Sequence, residues 1–137
     1  MTFRSLLFLA HLQAFLIPIL IGIKSINRFK QVRFPLLLPF AFISLGLASM
    51  FEMIDHTTTD WIYIDHSSIF NWLFYSFLSI GLSFFTISVA KNKSIIVTNI
   101  LFIIGSIFSY WLLGKSTTLL FQVLISILLI SQWWKRF

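Results

Sequence analysis

Polar side chains interrupt this chain so seldom that their positions set its layout. Five apolar runs, near residues 6–23, 35–54, 69–90, 95–114 and 117–134, are separated by short stretches that hold most of the charge. At 1.5 Å per residue each run covers a hydrocarbon layer of about 30 Å, with modest adjustment at the ends. Lipid offers the backbone no water to bond, so every run is expected to be a helix. The fold class that follows is an all-α integral membrane protein, a five-transmembrane-helix bundle forming one domain over residues 1–137.

Inside the runs the few polar positions recur at helical spacing. The second carries Ala41, Ser44, Ala48 and Glu52, and the third Asn71, Tyr75, Ser79, Ser83 and Thr86. Small and hydroxyl side chains let helices approach closely and bond across the contact, so these stripes are expected to face the bundle interior. Pro18 is expected to kink the first helix and free the Ala14 carbonyl, and Pro35 fits the first turn of the second.

Charge orients the chain. Lys24, Arg28, Lys30, Arg33, Lys91, Lys93, Lys135 and Arg136 fall on one side of the bilayer, and only Arg4 and Lys115 on the other. The excess predicts an N-terminus outside, a C-terminus in the cytoplasm and residues 55–68 on the extracytoplasmic face of a cell or inner membrane. Trp61, Tyr63, Trp72, Tyr110 and Trp111 would form an aromatic belt at that face, with Trp133 and Trp134 at the other. The net charge of +6 is thereby read as topology, and no nucleic-acid partner is expected. Hydrophobic residues at 58% and charged residues at 10% exclude a water-soluble domain of this length. The absence of cysteine excludes disulfides, thiolate ligands, a thiol nucleophile and covalently attached c-type haem. The first run carries His11 and Gln13 and lacks a small-x-small cleavage site, so it reads as a span and not as a secretory signal.

One segment breaks the pattern. All four carboxylates, Glu52, Asp55, Asp60 and Asp65, and two of the three histidines, His56 and His66, lie between residues 52 and 66. Ile54-Asp55-His56-Thr57-Thr58 is echoed ten residues on by Ile64-Asp65-His66-Ser67-Ser68. Glu52, Asp55 and His56 stand at i, i+3 and i+4, which places them together at the end of the second helix. That helix end carries partial negative charge, so carboxylates there call for a compensating cation or proton. His11 on the first helix lies at a depth within about 5 Å of Glu52 and should meet it if the two helices pack as neighbours. Ser67 or Ser68 is expected to cap the third helix, and Thr57, Asp60 and Asp65 to cap helix starts nearby.

Three functions fit these residues. In the first, His11, Glu52, His56 and His66 bind a divalent metal such as zinc, with Asp55 or Asp65 as general base, and the protein is a metal-dependent hydrolase acting on a lipid substrate. In the second, the cluster is a hydrogen-bonded clamp in a non-catalytic accessory or assembly subunit, whose partners are other membrane-protein subunits. In the third, His11 and His56 or His66 are axial ligands of a b-type haem. Asp65-His66-Ser67-Ser68-Ile69 resembles the Asp-Tyr-Ser-Gly-Ile of the membrane hydrolase superfamily of alkaline ceramidases and progestin/adiponectin receptors, in which an Asp opens a transmembrane helix near zinc-binding histidines. The likeness spans five residues and implies zinc chemistry at this position. The Ser-x3-His and late His-x3-His of that superfamily have no counterpart here, and five spans stand in place of seven.

Overall fold

The computed structural model describes residues 2–26, 34–58 and 67–136, the side chains of Arg4, Thr58 and Arg136 excepted. Asp60, Asp65 and His66, with Trp61 and Tyr63, lie outside the described residues. Five helices fill the rest: α1 Phe3–Ser25, α2 Leu37–Thr58, α3 Ile69–Val89, α4 Lys93–Leu112 and α5 Lys115–Arg136. All five are long and apolar enough to cross a membrane. Their outward surfaces are Leu, Ile, Phe and Val, the arrangement expected when lipid and not water is the solvent.

Local chemistry fixes the helix ends. The Ser68 hydroxyl accepts from the Asn71 amide and caps α3, and the Asn92 side chain accepts from the Ser94 amide and caps α4. Between α4 and α5 the chain reverses through Gly114 at φ 101°, a conformation that costs glycine little, and its N–H closes on the Ser109 carbonyl at 2.9 Å. Helix α1 is continuous, with Pro18 inside it. Two expectations need revision. Pro35 lies in the turn before α2, and it is Pro39 that sits in the first turn, where a missing N–H leaves no bond unmade. Helix α2 runs one turn past Ile54, so Thr57 does not cap a new helix; its hydroxyl donates to the Met53 and Ile54 carbonyls, both at 3.0 Å.

The helices do not form one closed ring. Helices α1, α2 and α3 stand in a row, and α3, α4 and α5 pack mutually beside it. Among the described residues α1 packs against α2 alone. Glycine sets that contact. A Cβ on Gly46 would lie 2.5 Å from Ile19 Cγ1 and 2.8 Å from the Phe15 carbonyl oxygen, so only hydrogen permits this approach.

The predicted interior stripes are buried except at Glu52 and Tyr75, which are partly exposed, and the stripe of α3 meets polar partners on α4 and α5. Ser79 on α3 and Ser106 on α4 share a hydrogen bond of 2.6 Å, and the Gln122 amide on α5 donates to Ser79 Oγ at 3.2 Å and to the Tyr75 carbonyl at 3.0 Å. Thr118 and Ser109 extend the seam at 3.1 Å. Such bonds contribute about 0.6 kcal/mol each on average within a membrane, and they fix which helix faces lie together. At the opposite end, the Trp133 indole donates to the Phe85 carbonyl and the Phe34 amide to the Ser88 carbonyl, both at 3.0 Å.

Candidate metal centre

The register that fits Gly46 against Phe15 and Ile19, carried six residues further along α2, sets Glu52 opposite His11. Backbone chemistry then orients the imidazole. His11 Nδ1 lies 2.8 Å from the Leu7 carbonyl oxygen, which can only accept, so Nδ1 carries the hydrogen and Nε2 is the nitrogen left for other work. Nε2 points at Glu52 Oε2, 3.2 Å away. The second Glu52 oxygen, Oε1, faces His56 Nε2 at 3.6 Å, one helical turn along α2. The two rings lie with centroids 5.2 Å apart and planes inclined at 43°.

One atom from each of His11, Glu52 and His56 falls within 4.8 Å of the others. Two imidazole nitrogens and one carboxylate oxygen form a ligand set that zinc accepts, and a small contraction of three side chains would bring them to bonding distance. The His11 geometry is also what a metal ligand needs beyond its bond to the ion: an N–H fixed on a carbonyl, holding the ring in one tautomer with the free nitrogen aimed inward. Beside the two rings lies a cavity of about 100 Å³ lined by Leu7, Phe8, His11, Met53, His56 and Thr57. A fourth ligand would enter there.

Asp55 goes elsewhere. At about 100° per residue it stands about 60° to one side of Glu52 while His56 stands about 40° to the other, so the expected common face divides. Asp55 is 1% exposed and accepts from the Ser68 hydroxyl at 2.6 Å. Ser68 in turn accepts from the Asn71 amide at 3.0 Å, and the buried Tyr110 hydroxyl donates to Asn71 Oδ1 at 2.6 Å. The carboxylates of α2 therefore turn to different neighbours, Glu52 facing His11 on α1 and Asp55 accepting from Ser68 at the start of α3. Ser68 was expected as a cap; that it also satisfies a buried carboxylate had no sequence signal. Tyr110 was expected in the aromatic belt and is instead an internal donor, whereas Trp111 is exposed. Trp72 lies partly buried, its indole donating to the Ile107 carbonyl at 2.8 Å. Of the expected metal ligands the structure brings three together, and His66 and Asp65 fall outside the described residues.

A family described as seven transmembrane receptor, 7TM_cyano, matches residues 3–135. The chain belongs to this family. The match runs from the first turn of α1 to the last turn of α5 and so includes all five helices and the His11–Glu52–His56 constellation. The family description counts seven spans, and the described residues of this seven transmembrane receptor family member form five. No curated protein and no solved structure matches the chain.

Proposed function

We propose that this seven transmembrane receptor family member is a receptor whose site is a divalent transition-metal ion, zinc by preference, held by His11, Glu52 and His56. The observation that carries the reading is the His11 ring, locked by its Nδ1–H bond to Leu7 so that Nε2 addresses Glu52 and the neighbouring His56. A nitrogen-rich set with one carboxylate suits zinc better than magnesium or calcium, which prefer oxygen alone. The Lys and Arg count assigns this end of α2 to the extracytoplasmic side.

Of the two candidate bases for lipid hydrolysis at the same ion, Asp55 accepts from Ser68 and Asp65 lies outside the described residues. Metal recognition, which needs no base, is the reading adopted. Two rings only 5.2 Å apart and flanking one carboxylate also suit a single ion better than opposite faces of a macrocycle. Elemental analysis and an optical spectrum of detergent-purified protein test the proposal. One zinc per chain, lost in His11→Ala and in Glu52→Gln, is expected. A chain that takes up no zinc at micromolar concentration, or that shows a Soret band, would overturn it.

A further inference from the structure

We infer that the ligand of this receptor is a short-chain carboxylate, bound through its oxygen to the fourth position of the ion with its carbon tail in the adjoining cavity. The inference rests on the metal reading and adds three arguments from the site. The first is charge. A divalent ion, one glutamate and two neutral imidazoles sum to a single positive charge, held by partly buried side chains on two apolar helices. An unbalanced charge is costly there, and a monoanion cancels it.

The second argument is the wall. The two imidazoles line the cavity together with Leu7, Phe8, Met53 and the Thr57 side chain. The Thr57 hydroxyl proton is already donated to the Met53 and Ile54 carbonyls. Hydroxide or water on the ion would satisfy its charge or its coordination number and leave the apolar wall without a partner. A carboxylate with an alkyl tail satisfies both. The third is size: at about 100 Å³ the cavity is smaller than the roughly 150 Å³ of an apolar cavity that holds benzene. With the carboxylate at the ion, the space beyond it takes a tail of about two or three carbons, which points to propionate or butyrate and not to a long-chain acid.

The test uses the full chain in detergent, loaded with zinc or with cobalt(II), and the probes acetate, propionate, butyrate, hexanoate and palmitate. Calorimetry on the zinc form should show binding that tightens about fourfold per added methylene up to butyrate and then stops improving. The visible spectrum of the cobalt form should change on adding butyrate, which places the carboxylate on the ion. Phe8→Ala, which enlarges the cavity on the exposed side of α1, should move the optimum to hexanoate while zinc stoichiometry stays at one. Zinc bound at one per chain with no carboxylate binding would overturn this inference and leave the metal reading standing. Equal binding of butyrate to metal-free protein would overturn it as well. Palmitate binding more tightly than butyrate would assign the carboxylate to a membrane fatty acid and refute the size argument. A chain that takes up no zinc would fail the metal reading itself, which the stoichiometry reports before any carboxylate is added.

Discussion

Replacing Glu52 by glutamine separates a metal centre from a simple clamp, because the two depend on its charge to different extents. The side chain keeps its shape and its reach toward His11 and His56. Without metal the loss is limited to contacts at 3.2 and 3.6 Å on a carboxylate that is 31% exposed, and solvent screening holds such pairs to about 1 kcal/mol or less. With zinc at about 100 times its Kd, the wild-type chain gains about 2.7 kcal/mol of stability by mass action. A neutral amide is a poor ligand and leaves the ion with only two imidazoles, so the variant should forfeit that gain. Thermal unfolding in detergent, followed by tryptophan fluorescence with zinc and then with a chelator, reads both quantities. The expected result is nearly equal stability of the two proteins in chelator and a zinc-induced rise in Tm of several degrees in the wild type alone. If Glu52→Gln retained the wild-type zinc shift, or the wild type showed none, the assignment of Glu52 as a ligand would be refuted.

Further outcomes follow from other contacts. Ser68→Ala removes both the α3 cap and the donor to buried Asp55 and should destabilise the fold by about 2–4 kcal/mol in a chemical or thermal unfolding assay, with Ser68→Thr largely restoring it. Gly46→Val drives a side chain into Ile19 and the Phe15 carbonyl, so it should loosen α1 from α2, cost about 1–3 kcal/mol and weaken zinc binding measured by calorimetry. Gln122→Leu removes two bonds from α5 to α3 and should cost roughly 1–2 kcal/mol while leaving zinc affinity unchanged, because the seam is separate from the metal centre. A cysteine introduced at exposed Ser67 should react with an impermeant maleimide added to intact cells, and protection from that reagent would reverse the predicted orientation.

The spans and their helical character were legible in the sequence because hydrocarbon imposes one demand on every backbone group, and a run of apolar residues meets it in only one way. The interior stripes on α2 and α3 were legible for a related reason, since helical periodicity fixes which residues share a face. His11, Glu52 and His56 were readable as candidates from rarity and i, i+4 spacing. Their meeting depended on the packing of α1 against α2, which hangs on the hydrogen at Gly46 and on a register that spacing along one chain does not encode. Tertiary structure also divided what the sequence had grouped. Asp55 and His56 are adjacent in the chain, yet the turn of the helix aims one at Ser68 on α3 and the other at His11 on α1. The partners of the buried seam, Ser106, Thr118 and Gln122, likewise came from helix packing: a hydroxyl or amide in an apolar run announces that it will be paired, but only the neighbouring helix decides with what.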